Sequence, residues 1–349
     1  MEKYFLNLNE TIKEYFKILS DEIPDFLYDY INTPEMQRIG KIGCACGTDY
    51  TKIFDNKFFY SNLEHSIGVA LIIWNFTKDK KQTLAGLFHD ISTPVFKHCI
   101  DFMNGDHEKQ ESTEDLTTYM IQNSKEIMEL LKRDNIKLEE VNDYHIYSIA
   151  DNNTPKLSAD RLEYTFTNGL YLKEVWNVEK IREIYSNIEV QKNEGNIPEL
   201  GFKNKEIAEQ FIDGASKLWP LWISNEDKLA MQFLADTIKK MSENGYITKK
   251  DLYTLSEQEV ITKIENCVDE KISMCFKMFR NSTHINESDD IVLDKYCVSI
   301  KAKRRYIVPL VKNNNSYERI NKISYLAKEK IDEYLKYETK KYAYLDFNF

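Results

Sequence analysis

Hydrophobic and polar positions along most of the chain recur with helical periodicity, and several of the implied helices carry their own start signals. Ser61-Asn-Leu-Glu64 is a capping box, and after it Leu63, Ile67, Ala70, Leu71 and Trp74 fall on one helical face, which predicts a helix from about Ser61 to Phe76. The mainly apolar run from Leu84 to Ile91 predicts a short buried helix. Thr93-Pro94 has the form of an N-cap followed by proline at the first helical position, and predicts a further helix through Phe102. Ser112-Thr-Glu-Asp115 and Ser224-Asn-Glu-Asp227 are two more capping boxes, and Gly245 suits the stop of the helix that the second one opens.

Beyond about residue 285 the pattern changes. Ile291 to Leu293, Tyr296 to Ile300 and Tyr306 to Val311 are short and rich in β-branched residues, and Asn313-Asn-Asn-Ser316 is a turn or loop, so a few strands are expected there. Ile320, Ile323, Leu326, Ile331 and Leu335 then mark a final amphipathic helix ahead of an aromatic tail, Tyr342 to Phe349. The expected architecture is a mostly helical core over residues 1–285 and a small α+β region over residues 286–349. The boundary is soft and one large domain is allowed, because neither an internal repeat nor a low-complexity linker separates the parts.

Composition narrows the function classes. The 22 tyrosines exclude a disordered chain, and 349 residues suffice for a large core. A formal charge of −10 opposes binding to a polyanion, so nucleic acid is not an expected partner, while a local basic pocket for one small phosphorylated ligand is allowed. Six scattered cysteines are not a disulfide framework, and the N-terminus lacks the apolar run of a signal peptide, so a reducing cytoplasm is expected. The longest apolar stretch, Val69 to Trp74, is far below the ~20 residues that span a bilayer, and no membrane span is expected.

The chemistry concentrates in the histidines. Of six, three lie close together on apolar segments: His65, His89 and His98. Any one of them alone is more often a hydrogen-bonded core residue than a ligand. His65 with His89-Asp90 is a less ordinary combination, since two apolar helices would each bury polar groups at a cost unless those groups meet a partner, and a shared metal is the simplest partner. A nitrogen and oxygen donor set suits Mn, Fe, Mg, Ni or Zn. Cys44-Ala-Cys46 is a lone pair read as loop packing, and His145 and His284 sit in polar contexts with no assigned role.

Thr33-Pro-Glu-Met-Gln-Arg38, Leu63-Glu-His-Ser-Ile-Gly-Val69, Ala85-Gly-Leu-Phe-His-Asp-Ile91, His107-Glu108 and Ser158-Ala-Asp-Arg-Leu-Glu-Tyr164 occur in the order found in the HD superfamily of metal-dependent phosphohydrolases. The chain resembles the branch that contains deoxynucleoside triphosphate triphosphohydrolases, and Lys303-Arg-Arg-Tyr-Ile-Val-Pro-Leu310 extends the likeness more weakly. The resemblance implies an all-α HD-domain helical core and one divalent metal held by His65, His89, Asp90 and Asp160. It implies hydrolysis of a phosphoester or phosphoanhydride, most readily of a nucleotide, by metal-activated water. A nucleoside monophosphate phosphatase, or a metal-binding regulatory module with little turnover, are the alternatives, and a homo-oligomer is allowed.

The same resemblance gives Asp90 a second task, orienting water, and makes His107 and His98 candidates for proton transfer. His98 and Asp101 stand one turn apart and form either a supporting pair or a structural hydrogen bond. Arg38, Asn62, Thr93, Asp101, Glu108, Arg161 and Tyr164 are the candidate substrate contacts. Two positions depart from the family pattern: Thr93 stands where it has a catalytic histidine, and Asn62 where it has a phosphate-binding arginine.

Overall fold

The computed structural model of the protein describes residues 3–110, 116–314 and 316–349. At its centre lies the helix Asn62–Thr77, in which every residue from Asn62 to Ile73 is buried. A helix apolar on all sides belongs in an interior, and this one is covered by the helices Glu10–Leu19, Lys80–Phe88 and Ala159–Tyr171. Its start follows the sequence pattern: the Ser61 amide donates to Glu64 Oε2 at 2.5 Å, and the Glu64 amide donates to Ser61 Oγ at 3.2 Å. The neighbouring helix Lys80–Phe88 begins one turn before its expected start, because Asp79 accepts from the amides of Lys81 and Gln82. The two helices approach so closely at Gly86 that a Cβ there would sit 2.3 Å from Ile73 Cδ1.

Thr93-Pro94 does not open a helix. Phe96 and Lys97 both take left-handed backbone angles, φ 61° and 47°, which no right-handed helix accommodates. The segment runs instead as turns, tied down where the Val95 amide donates to the Leu252 carbonyl, and helix resumes only at Cys99–Met103. The capping box Ser112 to Asp115 lies outside the described residues. That of Ser224 opens the helix Asn225–Glu243, which ends shortly before Gly245 at φ 73°.

Two small sheets complete the fold. β1 (Ile188–Lys192), β2 (Pro198–Phe202), β5 (Leu310–Asn313) and β6 (Ser316–Arg319) form one, in the order β1-β2-β5-β6. β3 (Asn286–Ser288), β4 (Tyr296–Val298) and β7 (Tyr342–Leu345) form the other, in the order β3-β7-β4. Among the described residues, only β2 and β5 pair in parallel; the other pairs are antiparallel. Of the expected strands, Ile291 to Leu293 does not form, Tyr296 to Ile300 shortens to β4, and the third begins only at Leu310. The β1-β2 hairpin falls inside the stretch expected to be helical. Its alternation is inverted, with Val190 exposed and the polar Gln191 buried and donating to the Phe202 carbonyl, so the hydrophobic pattern hides it. The last helix is broken at Ser324, which caps Tyr325–Lys336 by accepting from the Ala327 amide at 3.1 Å.

The C-terminal strands are joined to the rest by charge as well as by backbone pairing. Arg319 at the end of β6 donates to both oxygens of the fully buried Glu199 on β2, at 2.6 and 2.9 Å, and to Glu194 in the β1-β2 turn. Glu199 takes two further bonds, from the Leu157 amide and from Asn193 Nδ2. Among the described residues, no helix is long and apolar enough to cross a membrane. Replacing Arg319 by Met leaves the Glu199 carboxylate buried without its cation, and should cost about 3–5 kcal/mol in urea unfolding. Arg319→Met with Glu199→Met should recover most of that loss, and an Arg319→Met protein as stable as the parent would refute the assignment.

Candidate metal centre

The helices Asn62–Thr77 and Ala159–Tyr171 cross in the core, and the turn after Lys80–Phe88 meets them there. His65 Nε2 faces His89 Nε2 at 3.2 Å and Asp160 Oδ1 at 3.2 Å, and the distance from His89 Nε2 to Asp160 Oδ1 is 3.8 Å. Asp90 Oδ2 lies 3.5 Å from His89 Nε2 and 3.8 Å from His65 Nε2. Ligand atoms bound at about 2.0–2.2 Å to one cation stand roughly 3–4 Å apart, which is the spacing seen.

Partners on the far side of each ring fix which nitrogen is available. His89 Nδ1 lies 2.7 Å from the Gly86 carbonyl, and His65 Nδ1 meets the Glu163 carboxylate. A carbonyl and a carboxylate only accept, so both Nδ1 atoms are assigned as protonated, which leaves Nε2 of each ring for the cluster. Two ring nitrogens and two carboxylates converge there, and of these four groups only Asp90 receives Lys97, an arrangement that calls for a cation. His65 shows the same demand: burial pulls its pKa down, but Glu163 and Asp160 outweigh burial and carry it up to about 9. Asp160 and Asp90 are half-buried, and although desolvation acts to raise them, the imidazoles and, for Asp90, Lys97 hold both carboxyls well below the usual carboxylate range. The residues present therefore suit a divalent cation held by His65, His89 and Asp160 with Asp90 alongside.

Glu163, absent from the sequence candidates, positions the cluster. It is fully buried and accepts from Tyr60 Oη at 2.7 Å and Tyr15 Oη at 3.4 Å besides binding His65. Helix Asn62–Thr77 makes room for it with Gly68, where a Cβ would lie 2.7 Å from Glu163 Oε1 and 2.8 Å from its Cγ. The only sequence signal was its spacing, one turn after Asp160 on an inward face.

The cluster opens on a cavity of about 810 Å³. His65, His89, Asp90, His98, Asp160, Arg161 and Tyr164 line it, as do Lys97, His145, Asp227 and Arg305. His98 Nδ1 is 2.8 Å from the fully buried Asp101, so the pair expected from their spacing forms. Arg161 lies against the wall with its guanidinium engaged by Asp151, Asn152 and the Lys156 carbonyl. Tyr164 packs edge-on against Trp222.

The remaining candidates stand behind the lining. Arg38 donates to the Ile91 carbonyl at 2.8 Å and so buttresses the His89-Asp90 turn. Asn62 is buried and accepts from Lys97, and Thr93 and Asp101 are buried and not part of the lining. His107 bonds Gln232 at 3.1 Å and packs against Phe102, and neither it nor Glu108 is part of the lining. His145, given no role from sequence, reaches the cavity between Asp143 and Asp151. Cys44 and Cys46 also face it, and burial raises both thiols above their usual range.

Glu163→Gln should weaken divalent binding roughly 10–100-fold, since the ring it orients loses its carboxylate, and Gly68→Ala should act in the same direction by displacing that carboxylate. Manganese titration against a chromogenic chelator measures both, with unchanged affinity in Glu163→Gln ruling the orienting role out. A second carboxyl holds the Phe96-Lys97 turn: Glu257 is fully buried and accepts from the Phe96 amide at 3.2 Å and Tyr50 Oη at 2.8 Å. Burial, only partly offset by the bonds from Tyr50 and the Gly43 amide, carries its pKa from 4.5 to about 8. A carboxyl raised in the folded state is penalised once ionised. Its contribution is therefore intact below 4.5 and is lost as pH rises through 8. Glu257→Gln should gain stability relative to the parent across that window and stay level below it; thermal unfolding at stepped pH reads the difference, and parallel curves would count against it.

No protein-family model matches the chain. The uncharacterized protein YdhJ of Bacillus subtilis is 24% identical to it over 287 residues, covering 80% of this chain and 84% of that protein. A hypothetical protein from Aquifex aeolicus superposes with a TM-score of 0.64 at 16% identity, over 93% of both chains. A phosphohydrolase from Bacteroides thetaiotaomicron, BT4208, superposes with a TM-score of 0.64 at 14% identity, over 94% of this chain and 97% of its own. At such identities the likeness establishes a shared fold over nearly the whole length of each chain.

Proposed function

We propose that the chain is a metal-dependent phosphohydrolase of the HD type, acting on a small phosphorylated molecule, with nucleotides as the first substrate class. The observation that carries this reading is the convergence of His65 Nε2, His89 Nε2 and Asp160 Oδ1 on one point of the cavity wall, with Asp90 beside them. Support comes from the shared fold with a protein named a phosphohydrolase. A divalent ion held by these residues would polarise a phosphoryl oxygen and lower the pKa of bound water.

The chain's own residues supply the rest. Glu163 keeps the His65 ring in the tautomer that presents Nε2. Asp101 holds His98 through Nδ1, so that its Nε2 is the atom left to exchange a proton in the cavity. Burial lowers the His98 pKa, which favours the neutral ring; that ring would accept a proton from the attacking water and, once protonated, give it to the leaving oxygen. Two features favour a lightly charged substrate. Arg161 is already engaged by Asp151 and Lys57 by Asp55 and Glu174, and Asn62 and Thr93 stand where the resembled pattern has an arginine and a histidine. A monophosphate needs less neutralisation there than a triphosphate.

Elemental analysis should find close to one divalent ion per chain, removed by His89→Ala or Asp160→Ala, and turnover should fall at least about a hundredfold in both variants. The assay offers nucleotides at mono-, di- and triphosphate level with manganese and reads the released species, with monophosphates turned over fastest. Metal retained in both variants would overturn the ligand set. A full complement of metal with no hydrolysis of any phosphoester would leave a binding module in place of an enzyme.

A further inference from the structure

Lys97 is a half-buried cation at the centre, and neither the sequence pattern nor the fold likeness gives it a task. Its Nζ donates to Asp90 Oδ2 at 2.8 Å and to Asn62 Oδ1 at 2.9 Å, and the side chain lines the cavity. An ammonium has three N–H donors, so those two bonds leave one. The backbone is arranged to aim it. Phe96 and Lys97 are both left-handed, a strained pair for residues other than glycine, and the turn is clamped by the bonds of the Val95 amide to Leu252 and the Phe96 amide to Glu257. Such clamping is not needed to neutralise Asp90, which any flexible lysine could reach.

Charge balance adds a reason. Asp90, Asp160 and Glu163 bring three negative charges into one cluster. A divalent ion cancels two of them, and Lys97 cancels the third. An incoming phosphoryl group then meets a neutral centre, whereas without Lys97 it would meet a negative one.

We propose that Lys97 is the group that binds the phosphoryl oxygens at this centre, donating its remaining N–H to a tetrahedral oxyanion lodged against the His65, His89 and Asp160 cluster. The assignment rests on the phosphohydrolase reading for the identity of the anion, but it can be tested without turnover. The probe is inorganic phosphate, titrated calorimetrically into the manganese-loaded full chain, with metal content measured for each variant. Lys97→Met should bind phosphate roughly tenfold more weakly or worse, since a charge-assisted hydrogen bond is lost, while Lys97→Arg stays close to the parent and manganese stoichiometry is unchanged.

Equal phosphate affinity in the parent and Lys97→Met would overturn the proposal, as would a manganese-loaded parent that binds no phosphate. Should Lys97→Met fail to fold, Lys97→Gln decides. It can still bond Asp90 and Asn62 but carries no charge, so parent-like affinity in it overturns the proposal and a tenfold loss supports it. Phosphate binding that depends on Lys97 in a protein hydrolysing no phosphoester would uphold this assignment and sink the hydrolase reading, so the two fail separately.

Discussion

The contact between the Glu163 carboxylate and His65 Nδ1 is the constraint around which the centre is organised. A fully buried carboxylate survives only if its lone pairs are met, and Glu163 gathers its partners from separate segments: Tyr15 on an N-terminal helix, Tyr60 ahead of the central helix, and His65 within it. The same carboxylate decides the His65 tautomer, and through it the direction of the Nε2 lone pair. Gly68 is the steric counterpart, because any side chain there would fall on the carboxylate. Packing of the core and orientation of a ligand are thus one arrangement, in which neither changes without the other.

Around that contact the charges are distributed so that few are spare. Arg161 is spent on Asp151, Arg319 on Glu199 and Glu194, and Lys97 partly on Asp90. Buried pairs of this kind contribute little net stability but penalise any rearrangement that separates them, which favours one geometry over its neighbours. Asn62 belongs to the same logic. The Asn62 side chain receives Lys97 from a different segment, so a cation stands beside it at the centre.

The C-terminal segment is woven into the body instead of appended to it. β5 lies in parallel beside β2, and the stretch before it brings Lys303 and Arg305 to the wall of the cavity. Parallel pairing joins strands distant in sequence, so the cavity wall depends on long-range contacts.

The sequence by itself determined the helical nature of most of the chain, the start of the central helix at Ser61, and the presence of three close histidines with an adjacent aspartate. Those are local properties: capping, 3.6-residue periodicity and the cost of burying an unpartnered imidazole act over a few residues. Tertiary structure alone decided the β1-β2 hairpin, because there the buried positions include Gln191 and the exposed ones Val190, an inversion that depends on what covers each face. It also decided the left-handed turn at Phe96 and Lys97, which a Thr-Pro start signal opposes and which the bonds to Leu252 and Glu257 impose. Glu163 escaped the reading because its partners His65, Tyr60 and Tyr15 lie 98, 103 and 148 residues away, and Lys97 because Asn62 lies 35 residues away. His145 stands close in sequence to Asp143 and Asp151, and only the fold brings it to the cavity.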